Sequence, residues 1–214
     1  MLQWGYRGIP WEVGRKNVKL SDAQKAILYG IILGDGYLQP TGAKNARLRL
    51  EHSHIQEKYL RWKMAQLPML FQGEPTKMSR LHPKSQVTYQ YVRAQSNASP
   101  DLGKLRMHYY PSGKKRIPEN LRQYLSPLTM AVWYMDDGYY YLRDKCAYLY
   151  LGRVTMEEAK TVQQSFESEL SLDTAILDKK KKGFVIYFSP TQVAKLKKII
   201  LPYILPEFLY KLPS

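Results

Sequence analysis

The sequence has little cysteine and histidine and few long apolar runs, and each shortage excludes a class of protein. Cys146 is the single cysteine in 214 residues, which excludes an internal disulfide framework and a cysteine-built zinc site. The four histidines, at positions 52, 54, 82 and 108, are dispersed and argue against a histidine-ligated zinc site. No apolar run approaches the ~20 residues that cross a bilayer, and the N-terminus lacks the apolar core of a secretory signal. We therefore expect an intracellular protein in a reducing compartment, a bacterial cytoplasm or an organelle matrix.

Acidic residues are also scarce relative to basic ones. The chain has 33 Lys and Arg against 18 Asp and Glu, a formal net charge of +15. Such an excess favours a polyanionic partner, nucleic acid before an acidic membrane surface. A membrane partner would require one basic amphipathic helix, whereas here the basic residues are spread over many segments. A basic protein that is merely soluble remains the alternative that involves no partner.

The order of predicted elements indicates a tandem repeat. Residues 1–20 form a basic arm suited to a phosphate backbone, and two halves follow, 21–124 and 125–214. Each half reads as helix, two strands, helix, two strands, helix, and the two halves end alike, because Pro111 and Pro118 have the same spacing as Pro206 and Pro213. The repeat predicts an α+β fold with an approximate two-fold axis.

Each half contains an apolar run that ends in an acidic residue followed by glycine. These runs are ILYGIILGDG, residues 27–36, and MAVWYMDDG, residues 130–138. The apolar part predicts a buried helix, and the glycine predicts a left-handed residue that closes it. Asp35 and Asp137 then occupy the negative end of the helix dipole, where a carboxylate favours a cation.

The glycines of the first helix predict how the two helices pack. Gly30 and Gly34 lie four residues apart on one face and allow a second helix to approach closely. Asp35 and Asp137 would then face each other, and two close carboxylates repel unless a cation bridges them. Oxygen ligands favour Mg²⁺, which supports phosphodiester hydrolysis. Alone, each Asp-Gly pair is an ordinary turn and the pair Gly30 and Gly34 is ordinary packing. The occurrence of two acidic motifs about half a chain apart in a basic protein favours the site.

Polar residues on the predicted strands form candidate nucleic-acid contacts. A two-stranded ribbon fits the major groove, where arginine reads guanine and glutamine reads adenine. The lysine run is expected to touch phosphates only. The candidates are Gln39, Arg47, Arg49, Lys77 and Arg93 in the first half, and Tyr141, Arg143, Lys145, Arg153, Lys179, Lys180, Lys181 and Lys182 in the second.

These motifs resemble those of the LAGLIDADG homing endonucleases, in particular the single-chain, two-motif, intron-encoded type. The matching stretches are LYGIILGDG at 28–36 and MAVWYMDDG at 130–138, with RIPENL at 116–121 and YKLP at 210–213 in similar places. Both motifs depart from the consensus at the sixth position, where Leu33 and Met135 replace the usual aspartate. The resemblance covers residues 21–213.

The resemblance implies a fold, a reaction and a set of residues. It implies two αββαββα repeats with antiparallel, saddle-shaped DNA-binding sheets in a monomer with internal pseudo-two-fold symmetry. It implies a site-specific endonuclease that cuts both strands of a double-stranded DNA target with Mg²⁺ or Mn²⁺. The metal site comprises Asp35 and Asp137 with the preceding Gly34 and Asp136, the last being a local polar group.

The resemblance also implies a lysine near each aspartate. By motif these are Lys115 and Lys211, whereas the internal repeat pairs Lys211 with Arg116, so Lys115 and Arg116 both remain candidates. Two other functions are open on the same scaffold. One is an RNA maturase that assists intron splicing without cleavage, and the other is a degenerate DNA-binding regulator.

Overall fold

The computed structural model describes residues 20–213, and the predicted basic arm at 1–20 lies outside that range except for Leu20. The chain contains helix, two strands, helix, two strands, helix, and then the same order again, as the repeat predicts. The elements of the first pass are α1 (Asp22–Leu33), β1 (Tyr37–Pro40), β2 (Ala46–Ser53), α2 (Glu57–Gln66), β3 (Thr76–Leu81), β4 (Thr88–Gln95) and α3 (Pro100–Tyr109). Those of the second are α4 (Pro127–Asp137), β5 (Gly138–Tyr141), β6 (Cys146–Gly152), α5 (Met156–Leu170), β7 (Ala175–Asp178), β8 (Phe184–Phe188) and α6 (Pro190–Ile200).

The strands form two antiparallel four-stranded sheets with the same connectivity. The first has the order β1-β2-β4-β3 and the second β5-β6-β8-β7. In β2, buried and half-exposed residues alternate strictly, so one face of the sheet packs on the core and the other is accessible. The predicted α+β class with antiparallel sheets is confirmed.

The described chain forms two compact units. One contains residues 25–34 and 109–213 and includes the second sheet; the other contains residues 20–24 and 35–108 and includes the first sheet. The sequence repeat predicts a boundary between residues 124 and 125. The two compact units are defined by packing and not by sequence duplication, so this boundary stays a prediction.

Several helices begin where capping residues predict. Thr155 and Glu158 form a reciprocal capping box at α5, with bonds of 2.7 and 3.2 Å. Ser21 and Gln24 make the same exchange before α1, and Ser126 accepts from the Thr129 amide, with proline in the first turn of α4. Each arrangement satisfies amide groups that have no partner within the helix.

The predicted left-handed glycine after each apolar helix is wrong. Gly138 has φ −78° and ψ 148°, because strand β5 begins at this residue with no intervening turn. Gly36 is also absent from the described residues with positive φ. At Gly138 glycine is needed for space instead, since a Cβ would lie 2.4 Å from the Tyr134 carbonyl oxygen.

Two short 3₁₀ turns adjoin the helices of the second half. Leu121–Gln123 precedes α4, and α6 stops at Ile200 before a 3₁₀ turn that contains Pro202. A proline cannot donate to the helical ladder, which explains why α6 ends there. Among the described residues, no helix combines the length and the apolar character that a bilayer span requires.

Candidate active site and nucleic-acid interface

Helices α1 and α4 pack in direct contact at the two glycines of the first motif. A Cβ built on Gly30 would lie 2.7 Å from both the Thr129 carbonyl oxygen and the Val132 Cβ. A Cβ on Gly34 would lie 2.7 Å from the Asp136 Cβ and nearer still to its carboxylate. Real side chains do not approach so closely, so only glycine allows this separation. The predicted close approach at Gly30 and Gly34 is confirmed.

Two lysines bind the ends of these helices in the same way. Lys115 Nζ donates to the Gly34 carbonyl, and Lys211 Nζ donates to the carbonyls of Met135 at 2.7 Å and Asp136 at 3.1 Å. These carbonyls lie in the last turn or just beyond it, where the helix offers no amide partner and the dipole attracts positive charge. Both lysines therefore bind the residue that immediately precedes a motif aspartate.

Lys211 is held from its backbone as well as through its ammonium. The Tyr134 hydroxyl donates to the Lys211 carbonyl at 2.9 Å. Burial raises the pKa of Tyr134 well above its ordinary value, so this hydroxyl keeps its proton. Lys211 is 9% exposed, and its ammonium is thereby fixed against α4.

Arg116 has a different environment from Lys115. Its Nε lies 3.0 Å from the Glu158 Oε1, and the same oxygen accepts from the Ile117 amide at 2.9 Å. Glu158 also caps α5. Arg116 thus anchors the connecting segment to α5, and the contact that matches that of Lys211 is made by Lys115.

The two motif aspartates differ in their local surroundings. Asp137 ends α4 and lines two clefts, one of about 530 Å³ that also contains Lys115 and Arg153, and one of about 560 Å³ that contains Asp136 and Lys182. In the other unit, the Asp35 side chain is 46% exposed and its Oδ2 lies 3.8 Å from Nδ1 of His52. Sequence reasoning missed His52, because alternation in β2 places it among core residues.

Each unit presents carboxylates that suit a hard divalent cation. Asp136 and Asp137 line one cleft of the unit that contains α4, and Asp35 presents an accessible carboxylate in the other unit. Oxygen-rich sites of this kind take Mg²⁺ or Mn²⁺ and leave coordination positions for phosphate oxygen and water. The residues present therefore fit the metal that the sequence predicts.

The accessible face of the first sheet carries a network of arginines centred on Glu51. The carboxylate lies 2.7 Å from Arg80, 2.8 Å from Arg93 and 3.3 Å from Arg49. Burial raises the pKa of Glu51, but hydrogen bonds from Arg93 and Arg80 outweigh that effect, and the net pKa is lowered. Gln39 accepts from the Arg47 Nε at 3.1 Å on the same face. The structure therefore brings four of the five first-half candidates together.

Lys77 is the exception in the first half. It lies opposite Val92 in the register of β3 and β4, whereas Arg93 lies opposite Thr76. Register partners share a face, so Lys77 is exposed on the opposite face, that of the buried Val92, and its predicted membership in the polar face is wrong. Arg80, whose guanidinium lies 5.2 Å from the Tyr91 ring centroid, belongs to the polar face and was missed.

The corresponding face of the second sheet is formed by tyrosines. Tyr148 lies opposite Tyr139 and Tyr187 in the register, its ring centroid is 5.7 Å from that of Tyr187, and Lys179 Nζ lies 4.6 Å from its ring. Burial raises the pKa of Tyr148 to about 12, so its hydroxyl stays protonated. Sequence reasoning named only Tyr141 on this face, because tyrosine in a strand is equally typical of ordinary packing.

The other second-half candidates are not all on this face. Arg143 pairs with Asp144 at 2.9 Å and lies over the Tyr141 ring. Lys145 instead lines a cleft with Tyr140 and residues of α6, and Arg153 lines the cleft of Asp137. The 3₁₀ turn Lys180–Lys182 connects β7 to β8. Lys145 and Arg153 therefore lie just outside strand β6, and their contact with nucleic acid stays a prediction.

Comparison with known proteins shows what this chain is similar to. Residues 25–196 match the profile of the LAGLIDADG DNA endonuclease family. The structure of the homing endonuclease I-WcaI bound to its DNA recognition sequence is similar, with a TM-score of 0.83 and 26% identity over 92% of this chain and 88% of that one. Among curated relatives, a protein RecA of Mycolicibacterium flavescens is 30% identical over 91% of this chain and 47% of its own length. The cytochrome b mRNA maturase bI2 of Saccharomyces cerevisiae is 28% identical over 87% and 46%.

This chain spans about half the length of each of these two curated relatives. The family profile nevertheless covers both motifs and both sheets. The fold, the glycine contact of α1 with α4 and the profile match agree. The chain belongs to the LAGLIDADG DNA endonuclease family, as a member with two motifs.

Proposed function

We propose that this chain is a site-specific homing endonuclease that hydrolyses both strands of a double-stranded DNA target with Mg²⁺ or Mn²⁺. The observation that carries the proposal is the duplicated contact of Lys115 with Gly34 and of Lys211 with Asp136. A lysine at a helix C-terminus stabilises the helix, but here one lysine binds the carbonyl directly before each of the two motif aspartates. A lysine beside each motif aspartate supplies a positively charged side chain for phosphodiester hydrolysis, in addition to the metal.

Each residue has a distinct role in the proposed reaction. Asp35 and Asp137 would each supply a carboxylate ligand to divalent metal, and the bound metal would lower the pKa of water and stabilise the leaving oxygen. Lys115 and Lys211 orient the attacking water and stabilise the negative charge that develops on the phosphate. Their Nζ atoms are fixed by backbone carbonyls, so orientation costs little entropy during the reaction.

The proposed DNA contacts follow from the two accessible sheet faces. The first sheet presents Arg47, Arg49, Arg80 and Arg93 with Gln39, side chains that hydrogen-bond to guanine and adenine edges. The second sheet presents tyrosines, whose rings contact thymine methyl groups and whose hydroxyls hydrogen-bond to bases or phosphates. DNA as the partner is supported by the likeness to I-WcaI, which was solved with its recognition sequence. We propose that one chain, acting as a monomer, covers the target.

The second candidate function is intron splicing as an RNA maturase. The likeness to the yeast cytochrome b mRNA maturase favours it. A maturase that does not cut has no need for two aspartates, each followed by glycine and each preceded by a lysine-bound carbonyl. The conservation of this geometry within the chain favours cleavage.

Incubation with a plasmid library of long random targets in Mg²⁺, followed by sequencing of the linear products, tests the proposal. We expect one sequence or a narrow family of sequences to be cut on both strands. Binding of the intron RNA with accelerated splicing, and no cleaved target in the library, would replace the nuclease with the maturase. Sedimentation of the protein bound to its target distinguishes one chain per duplex from two.

A further inference from the structure

Lys63 is the most deeply buried charged side chain in the part of the chain that the structure describes. It lies on α2 with Tyr59 and Leu60 on the buried face and is 0% exposed. Its Nζ lies 3.1 Å from Nε2 of His52 and 4.2 Å from the Tyr59 ring centroid. Burial of an ammonium is costly, so its presence at a core position calls for a function.

The contact with His52 fixes the orientation of the imidazole. A lysine ammonium only donates hydrogen bonds, so Nε2 accepts and the proton of the neutral ring lies on Nδ1. Nδ1 is the atom that lies 3.8 Å from the Asp35 carboxylate. That distance is longer than a hydrogen bond, so the contact between the ring and the half-exposed carboxylate is electrostatic in this structure.

This arrangement exists in one half of the repeat only. His52 lies three residues beyond Arg49, the register partner of Tyr37 in β1. Counted along the chain, the matching position in the second sheet lies three residues beyond Tyr148, the partner of Tyr139, and is Leu151, where the register of β6 against β8 shifts. Leucine offers neither a hydrogen bond nor a charge, so the two motif aspartates have chemically different supports.

We propose that Lys63 and His52 form a positioning pair that holds the Asp35 carboxylate in its working orientation. The inference rests on the proposed function, because the orientation matters only if Asp35 binds metal. A carboxylate ligand that accepts from a fixed donor loses fewer conformations when metal binds, and loss of such support typically costs 10–100-fold in metal affinity or activity. Lys63 acts through His52 and does not touch the reacting groups.

If Lys63 served only to stabilise the fold, its replacement would lower the thermal stability. We expect a different result. Replacement of a buried charge by an apolar residue of similar volume is often neutral or stabilising. Lys63→Met should therefore preserve or raise the thermal stability while it releases the imidazole. Leu60→Met, on the same buried face of α2, is the matched control, because it introduces the same side chain without touching His52.

Nitrogen NMR of the metal-free, imidazole-labelled full chain measures the orientation without any cleavage. His52→Asn assigns the signals, since it removes one of four histidines. We expect a bare Nε2 and a protonated Nδ1 in the wild type and in Leu60→Met, and a shift toward protonated Nε2 in Lys63→Met. A protonated Nε2 in the wild type, or identical spectra for all three proteins, overturns the pair.

Single-turnover cleavage of the identified target tests the consequence. We expect Lys63→Met and His52→Leu to cut 10–100-fold more slowly and to need more Mg²⁺, with unchanged DNA affinity. His52→Asn, whose amide can still donate toward Asp35, should recover part of the rate. Wild-type rates in Lys63→Met overturn the inference and leave the nuclease intact. A wild type that cuts no target refutes the nuclease instead, and the NMR result still decides the pair.

Discussion

Lys211 donates a hydrogen bond of 3.1 Å to the carbonyl of Asp136. The bond joins the C-terminal 3₁₀ turn to the last turn of α4, and Lys115 makes the equivalent bond to Gly34. The two segments follow their helices at different distances in sequence. Each nevertheless places a lysine ammonium at the equivalent carbonyl, that of the residue before the motif aspartate.

Replacement of either lysine should slow cleavage strongly without loss of DNA binding. We expect Lys115→Met and Lys211→Met each to lower the single-turnover rate 10²-fold or more, because groups that transfer or orient protons contribute about that much. Gel-shift affinity for the target should change little. Lys197→Met is the control, since Lys197 also donates to a backbone carbonyl, that of Pro213 at 2.8 Å, but binds neither residue that precedes a motif aspartate. Equal losses in all three variants would assign the lysines a structural role.

An isosteric change at each motif aspartate should abolish cleavage without affecting DNA binding. Asp35→Asn and Asp137→Asn are expected to abolish double-strand cleavage while DNA binding persists, since asparagine keeps the shape but not the charge that a cation needs. Asp144→Asn, in the exposed turn after β5, should cut normally. Full cleavage by both motif variants in Mg²⁺ would contradict the proposed metal site.

The Glu51 network should make stability depend on pH with a defined sign. The pKa of Glu51 in the folded protein lies below its ordinary value of 4.5, so the carboxylate stabilises the fold above pH 4.5. That contribution is lost as the pH falls through the lower folded pKa. Urea unfolding of the wild type and of Glu51→Gln should therefore differ most near neutral pH and converge in acid. A difference that grows as the pH falls would show that the network does not hold Glu51 ionised.

The contacts at Gly30 and Gly34 should differ in how much stability a second substitution, made in α4, restores after glycine is replaced by alanine. Gly34→Ala and Gly30→Ala should each destabilise the protein by about 1–3 kcal/mol through overpacking. The atoms nearest a Cβ on Gly34 all belong to the Asp136 side chain, so the swap Gly34→Ala with Asp136→Gly should restore part of the loss. Gly30→Ala with Val132→Ala should recover less, because the Thr129 carbonyl is backbone and cannot be removed. Unfolding curves in urea measure all four variants.

The sequence predicts the order of elements, the capping residues and the close approach of α1 and α4 because these depend on local patterns. It does not predict the placement of Lys77 or the conformation of Gly138. The face of Lys77 depends on the register of β3 against β4, which no local pattern in an exposed strand sets. His52 was missed for a related reason, since alternation cannot distinguish a core histidine from one that faces a carboxylate.

The glycine contact described above also restricts how this protein can assemble. Counted back from the motif aspartates, Gly30 corresponds to Val132 and Gly34 to Asp136, and each glycine packs against its own counterpart. Two copies of α4 arranged in the same way would drive valine into valine and aspartate into aspartate. Two copies of α1 would leave both places empty. The packing of α1 against α4 at this separation therefore requires one helix of each kind, because Gly30 of α1 and Gly34, the residue after that helix, each receive the larger counterpart from α4.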